Sequence, residues 1–293
     1  MTNTSKPVIV DRPDHAASIL FTSGPNEVAL RAGTVLRIDG AEHRFASDTP
    51  VVLGTMTPGE DYAVTIGKDG RPFAGRVDGY ATPLEAGYVA GFHFAPGGCA
   101  QARGGGDAVP AVNPFSLWDV DFRFAGPDPR GMALIDMPDG GRFWADIYLL
   151  GVDHRQQGTS RCGVRIADGH SLDRLNYHDA AAIMAAHGKR LLTYDEFRVA
   201  ALGVTEKSAA GKREEDTGLD PARTSRFGLM QATGNRWVWA TDGDPDEPRP
   251  SIFGGSWVNG VNAGSRFAAL GYWPDDSYET LSARGGGDHL QPA

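Results

Sequence analysis

The segment "FGGSWVNGVNAGSRFAALGYWPDDSYETLSARGGGDHL", residues 253–290, is rich in Gly, Ser, Asn, Asp, Tyr and Trp. Antibody binding loops use these residue types, whereas ordinary protein cores do not. The segment has no apolar stripe of helical period and no alternating apolar run long enough to predict a strand. We therefore predict a loop-rich binding surface held between "FGGSW" and "SARGGGDHL".

The residues that precede this segment predict strands and two helices. "FWADIYLLGV" (143–152) is almost continuously apolar, which predicts a buried strand. "YHDAAAIMAAHGKRL" predicts a helix that Gly188 ends. "LTYDEFRVAALG" predicts a second helix, because Thr193 and Glu196 have the spacing of a capping box. Residues 205–226 are charged and aperiodic, so we expect an exposed loop there.

The first third of the chain predicts β structure. Asp39-Gly40 separates the apolar positions of "GTVLRI" from those of "AEHRF", and Asp69-Gly70 repeats the arrangement after "DYAVTI". Both dipeptides indicate β-hairpins. Short strands separated by turns favour a sandwich, and the Gly- and Pro-rich residues 97–114 indicate a loop. The predicted fold class is α+β, with a β-sandwich domain over residues 1–120 and a second domain over residues 121–293.

Composition limits the classes of function. The chain has 293 residues and a net charge of -9, and its 28 basic residues form no cluster, which argues against nucleic acid as a partner. The opening "MTNTSKPVIVDRPD" lacks the pattern of a signal peptide, and no apolar run is long enough for membrane insertion. Cys99 and Cys162 are expected to be buried free thiols in a protein that folds in a reducing cytoplasm.

Several sequence blocks resemble known families. "GLMQATGNRWVWA", "FGGSW" and "ARGGG" resemble the C-type-lectin fold in its formylglycine-generating-enzyme variant. Nine blocks in order resemble the major tropism determinants, which are the receptor-binding tips of phage tail fibres: "GFHFAPG", "SLWDVDFR", "DPRGM", "FWADIYLLGVDH", "IADG", "HGKRLLTYDEF", "FGGSW", "GSR" and "ARGGGDHL". The resemblance implies a C-type-lectin domain over residues 121–293, a homotrimer, a location at the virion tail-fibre tip, and adhesion to a host cell-surface receptor, which we expect to be a protein. The family also has a small β-prism domain before the sandwich, which we do not expect in this chain.

The resemblance further implies that a diversity-generating retroelement varies the C-terminal segment. A reverse transcriptase misreads template adenines, so that AAC codons are replaced by other codons. All the implied variable positions hold residues that an AAC codon can reach through its two adenines. These receptor-binding positions, called display positions below, are Ser256, Val258, Asn259, Gly260, Asn262, Ala269, Gly271, Tyr272, Asp276, Tyr278, Thr280 and Leu281.

The display positions are expected to be exposed and to cluster on one side of the lectin domain. Side chains alternate along a strand, which predicts that Trp257 points inward while Ser256 and Val258 point outward. Tyr272 and Tyr278 are the predicted energetic anchors, because rigid aromatic side chains cover much area and lose little entropy on binding.

Other residues of the C-terminal segment, between the display positions, are predicted to have scaffold roles. Arg266 and Arg284 are predicted to donate hydrogen bonds to loop carbonyls, since a guanidinium group carries five donors. Trp273 is the one Trp of six that is predicted to lie in a display loop and to contact a ligand, while the others are predicted to be core residues.

Three alternative functions were weighed against receptor binding. A formylglycine-generating-type oxidoreductase needs a Cys pair in its last third, and residues 163–293 contain no Cys. His187 and His289 are isolated in sequence, so they are expected to be structural rather than catalytic. A diversified ligand-binding protein encoded by a prophage or a bacterial chromosome is the second alternative.

The third alternative is a calcium-dependent sugar lectin. The chain lacks the Glu-Pro-Asn, Gln-Pro-Asp and Trp-Asn-Asp motifs of such lectins. "DGDPDEP" holds alternating acids without the Gly and Glu positions of an EF-hand loop, and it is interpreted as a solvated loop. We expect no enzyme activity, no cofactor and no metal. The acidic residues of "DGDPDEP" are Asp242, Asp244, Asp246 and Glu247.

Overall fold

The computed structural model describes residues 6–77, 81–290 and 292. Residues 1–5, on which the expectation about a signal peptide partly depends, lie outside these ranges. Among the described residues the fold is predominantly β, with three short α-helices. The helices are α1 (His154–Gln157), α2 (Tyr177–Ala186) and α3 (Tyr194–Ala200).

Three sheets form the N-terminal part of the chain. Their strand orders are β1-β4-β5, β2-β3-β6 and β11-β10-β8-β9-β7, with β12 also paired to β10. A shared apolar cluster that includes Leu20, Leu36, Val64 and Phe92 packs these strands together. The strands are β1 (Val8–Asp11), β2 (Leu20–Gly24), β3 (Glu27–Leu30), β4 (Thr34–Ile38), β5 (Ala41–Phe45), β6 (Thr49–Pro50), β7 (Val52–Leu53), β8 (Glu60–Ile66), β9 (Pro72–Arg76), β10 (Ala90–Ala95), β11 (Ala111–Val112) and β12 (Trp118–Asp119).

Both predicted hairpins are present. Asp39 and Gly40 join β4 to β5 with φ angles of 49° and 82°, the left-handed pair that a two-residue type I′ turn requires. Gly70 has a φ of 80° in the loop between β8 and β9. The predicted β structure of the first third is therefore confirmed.

Two further sheets form the C-terminal part. One has the order β13-β21-β15-β14, with β16 also paired to β21, and the other has the order β19-β18-β17-β20. The last strand, β21, crosses the centre of the first sheet, so the "ARGGG" block is entirely buried. The strands are β13 (Arg123–Phe124), β14 (Met132–Asp136), β15 (Arg142–Asp146), β16 (Arg190–Leu191), β17 (Trp237–Gly243), β18 (Pro250–Phe253), β19 (Ala268–Ala269), β20 (Leu281–Ser282) and β21 (Gly285–Leu290).

The two predicted helices are confirmed as α2 and α3. The Asn176 side chain caps α2 by accepting a hydrogen bond from the Asp179 N–H, and Gly188 follows its end with a φ of 69°. The capping box of α3 is complete, because Thr193 and Glu196 each accept a backbone hydrogen bond from the other. The single turn of α1 was not predicted.

The strand predicted over residues 143–152 ends early, at Asp146. Residues 147–150 are fully buried but belong to no strand. The cause lies far away in sequence: the Arg284 guanidinium donates to the carbonyls of Asp146 and Ile147, each at 2.7 Å. These carbonyls are therefore bound to a side chain at the point where a strand ladder would otherwise continue.

The division of the chain at residue 120 stays a prediction. Aromatic side chains from both sides of that position pack in one cluster, which joins Trp118 to Phe122, Phe124 and Trp144.

Candidate functional site

Two long loops leave the sheet β19-β18-β17-β20. The first display loop, residues 254–267, joins β18 to β19, and the second display loop, residues 270–280, joins β19 to β20. They contain all of the display positions except Ala269 in β19 and Leu281 in β20. Because both loops leave one small sheet, the fold brings the two display loops to the same region of the surface.

Two glycines form the neck of the first display loop. Gly254 and Gly255 have φ angles of 89° and 80°, which L residues rarely adopt. A Cβ atom on Gly255 would lie 2.7 Å from the Cβ of Ala263, so the chain has no room for a side chain there. The Gly254 N–H donates to Phe267 at 2.9 Å, and the Gly264 N–H donates back to Gly254 at 3.1 Å. The loop is thus closed at its base by its own backbone.

The predicted direction of Ser256 is wrong. Ser256 is buried, and both its N–H and its hydroxyl donate to the side-chain oxygen of Asn259, at 2.8 and 2.6 Å. Trp257 is only partly buried. The alternation of a strand ends at Phe253, because the positive φ angles at Gly254 and Gly255 turn the chain. Val258 is exposed, as predicted.

Trp257 rests on a buried charge network. The Arg236 guanidinium lies 4.5 Å from the centroid of the indole ring, within the range of a cation–π contact. Arg236 donates twice to one carboxylate oxygen of Asp168, at 3.1 Å in each case. Arg213 donates to the same oxygen at 3.1 Å and to Glu279, in the second display loop, at 2.8 Å. The Asp168 carboxylate therefore binds two arginines. Arg236 contacts Trp257 in the first display loop, and Arg213 contacts Glu279 in the second.

Asp168 is held in its charged form. Burial by itself would raise the pKa of this carboxyl group, but the N–H groups of Ser171 and His170 donate to it and Arg236 attracts it, and together they lower its pKa. Burial lowers the pKa of Arg236 from its ordinary value. The four-residue "IADG" block contains Asp168, but nothing in the sequence indicates that its partners are Arg213 and Arg236.

The loop over residues 205–226 supports the first display loop. The prediction that it is an exposed loop is wrong, because most of its residues are half-buried or buried. Ser208, Ala209 and Gly211 donate backbone hydrogen bonds to Ala263, Gly260 and Trp257 respectively, at 3.2, 3.0 and 3.1 Å. Glu206 also accepts hydrogen bonds from the Ser265 backbone and hydroxyl groups. Glu206, one of the charged residues that suggested solvent exposure, therefore binds the first display loop instead.

The second display loop carries an aromatic cluster. The rings of Tyr272 and Tyr278 lie 5.4 Å apart, and the Tyr272 ring also contacts Trp239 of the core at 6.5 Å. Tyr278 is 49% exposed and Trp273 is 48% exposed. The Asp276 carboxylate accepts a hydrogen bond from the Trp273 N–H at 2.7 Å and so fixes the turn between them.

Arg249 packs against the Trp273 ring. Its guanidinium lies 4.2 Å from the centroid of the indole ring and 2.7 Å from the Glu247 carboxylate. The base of the loop is bound to the scaffold through Pro274, whose carbonyl accepts from Tyr177, and through Ser277, whose hydroxyl accepts from Leu175. Trp273 is thus an exposed side chain on a fixed turn.

The display positions divide into three groups by burial. Ser256 and Leu281 are buried, which contradicts their predicted exposure. Leu281 lies in β20, beside Trp237 in parallel register, and packs in the core. The exposed members are Val258, Gly260, Asn262, Gly271 and Tyr278, and the half-buried members are Asn259, Ala269, Tyr272, Asp276 and Thr280.

Two exposed apolar residues of the same loops were not among the display positions. Val261 is 65% exposed and Leu270 is 41% exposed. Together with Val258, Trp273 and Tyr278 they give this segment five of the large apolar side chains exposed in the described part of the chain. An exposed apolar surface rimmed by polar groups is typical of a protein-binding site.

The remaining sequence candidates have structural contacts. Of the two Arg residues predicted to bind carbonyls, Arg284 does so, and Arg266 is exposed. Asp242 accepts a hydrogen bond from the N–H of Tyr194, at the start of α3, at 3.1 Å. Asp244 accepts one from the N–H of Asp246 at 2.9 Å, in a turn whose residues are largely exposed.

The two candidate histidines are not isolated in space. His187 lies beside His154, and the Nδ1 atom of His289 accepts a hydrogen bond from the Trp144 indole at 3.0 Å. Burial lowers the pKa of His289 to about 4, so its ring is neutral at pH 7.

Cys99 and Cys162 are free thiols that are partly buried. Within residues 6–77 and 81–290, no cluster of three or more His, Cys, Asp or Glu side chains has the geometry of a metal site. No helix in these ranges has the length and apolar character needed to cross a bilayer.

Comparison with known proteins identifies relatives over nearly the whole chain. A family model described as the Mtd second domain matches residues 18–119. The tail fiber receptor-binding protein of Bordetella phage BPP-1 is 35% identical, and the match covers 95% of this chain and 84% of the relative. The solved M1 and U1 variants of the Major Tropism Determinant have 34% and 32% identity. Both superpose with a TM-score of 0.90 over 98% of this chain and 87% of theirs.

Proposed function

Because the chain belongs to the major tropism determinant family, we propose that it is the receptor-binding protein of a phage tail fibre and adheres to a host cell-surface receptor through its two display loops. The proposed location of the protein is the tip of the virion tail fibre. One observation supports the assignment of receptor binding to these loops. They combine exposed apolar and aromatic side chains with a base that buried charges and backbone hydrogen bonds hold in place.

The division of labour between loops and scaffold supports this function. The buried Asp168 carboxylate and the 205–226 loop hold the display loops from beneath, while Val258, Tyr278 and Trp273 face outward. A binding surface that changes in sequence needs such a base, because substitutions of exposed side chains away from caps and cores change the free energy of unfolding by about half a kcal/mol or less. Antibody loops solve the same problem with a similar set of residue types.

The domain organisation that we propose is a β-sandwich over residues 1–120 and a C-type-lectin domain over residues 121–293. The end of the family-model match at residue 119 supports this boundary. The strands, two capped helices and long loops after that residue are consistent with a lectin-type domain.

The display positions are proposed to be diversified by a retroelement and to form the receptor contact. The buried Ser256 and Leu281 cannot reach a ligand directly, so any variation there would act through the loop base. Trp273 is proposed as a constant contact, since an AAC codon cannot become a Trp codon by changes at its adenines. Sequencing of the neighbouring DNA tests the diversification: a near-copy of the 3′ end of the gene with Asn codons at the display positions, beside a reverse transcriptase gene, is expected.

We further infer that the chain is not an enzyme. The relative and the solved structures are described as receptor-binding and tropism proteins.

Tyr278→Ala and Trp273→Ala are expected to reduce binding to host cells by at least about thirty-fold each, because aromatic hot spots contribute about 2 kcal/mol or more. Both rings are half-exposed, so the melting temperature should change by no more than about 2 °C. The measurements are cell adsorption of the purified protein and thermal unfolding.

Phe73→Ala is the matched control for these two variants. Phe73 is 43% exposed but lies in β9, far along the chain from the display loops. It should leave adsorption unchanged. Equal loss of adsorption in all three variants, or none in the Tyr278 and Trp273 variants, would show that the receptor contact lies elsewhere.

The family resemblance supports a homotrimer as the working assembly. Three linked copies of one weak site raise the apparent affinity by roughly 10² to 10⁴ without any new contact. Light scattering at micromolar concentration is expected to give a mass close to three times the 31.2 kDa of one chain. A mass of one chain would contradict the assembly.

A further inference from the structure

A pair of histidines lies outside the display loops and has no role in the proposed function. His154 begins α1 and His187 follows the last residue of α2. The Nδ1 atom of His154 and the Nε2 atom of His187 are 3.3 Å apart, and the two rings meet edge to face at 75°. The sequence separates these residues by 33 positions, so only the fold brings the imidazoles together.

Both histidines are held by their backbones. The His154 N–H donates to Gly151 at 3.3 Å, and the His154 carbonyl accepts from Gly158 at 2.9 Å. The His187 N–H donates to Met184 at 3.0 Å. Two residues further on, Lys189 forms a buried ion pair with Asp146, which fixes the chain after α2. The imidazole pair is therefore positioned before any ligand arrives.

From this geometry we propose that His154 and His187 bind one divalent transition-metal ion of the zinc, nickel or copper class. Metal–imidazole bonds are about 2.1 Å long, so two nitrogens separated by 3.3 Å subtend about 104° at a shared metal, near the tetrahedral angle. Imidazole suits these metals, whereas magnesium and calcium prefer oxygen ligands. The metal replaces the proton that the two rings share.

The surroundings leave space for the rest of the coordination sphere. The pair lines a groove of about 770 Å³, whose walls include the apolar side chains of Leu172 and Ile183 and the charged side chains of Arg155, Asp173, Arg174 and Asp179. The described residues supply no third His, Cys, Asp or Glu in metal-binding geometry, so the other positions are filled by water. An open site of this kind binds metal less tightly than a closed four-ligand site and can accept a donor group from outside.

The test is titration of the purified chain with ZnCl₂, NiCl₂ and MgCl₂, followed by calorimetry and thermal unfolding. Zinc and nickel are expected to bind at one ion per chain and to raise the melting temperature, because a ligand that binds only the native state stabilises it. Magnesium should do neither. In nitrogen-15 spectra of the histidine rings, zinc should shift two side chains.

His187→Gln and His154→Gln remove one ligand each and should weaken zinc binding at least about tenfold. The matched control is His178→Gln, because His178 is exposed on the same helix α2 and should bind zinc like the unaltered chain. For each variant, the melting temperature with zinc is compared with the melting temperature without zinc. This difference separates zinc binding from any effect of the substitution on folding. Native zinc affinity in both the His154 and His187 variants, or no shift of the two ring signals, would overturn the proposal and leave receptor binding untouched.

Discussion

Arg284→Ala is expected to destabilise the protein by at least about 4 kcal/mol, the largest effect of any single substitution proposed here. The Arg284 guanidinium is completely buried and donates to the carbonyls of Asp146, Ile147 and Met230, each at 2.7 Å. Alanine would remove the guanidinium donor from each of these carbonyls and would open a cavity, while the Ile147 carbonyl would keep its hydrogen bond from the Met230 N–H at 2.8 Å. Burial lowers the pKa of Arg284 to about 10, so the side chain still carries its charge at pH 7. Thermal unfolding should show a fall of about 10 °C or more.

Two matched variants separate this effect from the loss of a positive charge. Arg284→Lys keeps the charge but lacks the planar fork, so it should recover only part of the stability. Arg266→Ala removes an exposed guanidinium and should change the melting temperature by no more than about 2 °C. If the Arg284 and Arg266 variants unfolded at the same temperature, the carbonyl contacts would not stabilise the fold.

The features that could be predicted from sequence are those whose causes are local. The turn at Asp39-Gly40 needs only two residues that tolerate a positive φ, and the capping box of α3 needs only Thr193 and Glu196. The choice of residues 253–290 as a loop-rich segment also depended on local composition. In each case the residues that decide the structure are within a few positions of one another.

The errors have non-local causes. Ser256 was predicted to face outward because a strand alternates, but two left-handed glycines end the alternation just before it. The strand from residue 143 ends at Asp146 because of Arg284, 138 residues later. The loop over residues 205–226 was predicted to be exposed from its charge, yet Glu206 and Arg213 point toward the display loops. A single sequence gives no sign of which distant partner a charge will find.

Asp168→Ala is expected to cost about 3 to 5 kcal/mol and to abolish host-cell adsorption, because it leaves Arg236 charged and unpaired in the interior. Asp168 is fully buried and is the shared acceptor for Arg213 and Arg236. Without it, Arg236 keeps its hydrogen bonds to Asn235 and to the Glu214 carbonyl but loses its charged partner, so the first display loop loses one of the supports beneath Trp257. The measurements are thermal unfolding and cell adsorption, carried out well below the melting temperature of the variant.

Asp173→Ala is the matched control for the Asp168 variant, since Asp173 is an exposed acid five residues further along the chain. It should leave both stability and adsorption unchanged.

Asp168→Asn adds a second test: the amide oxygen can still accept from the N–H groups of His170 and Ser171, but a neutral group no longer balances two guanidinium groups. It should therefore lie between the alanine variant and the unaltered chain in stability. If Asp168→Ala lost stability but kept full adsorption at low temperature, the carboxylate would support the core alone. The display loops would then owe their shape to their backbone contacts with Ser208, Ala209 and Gly211.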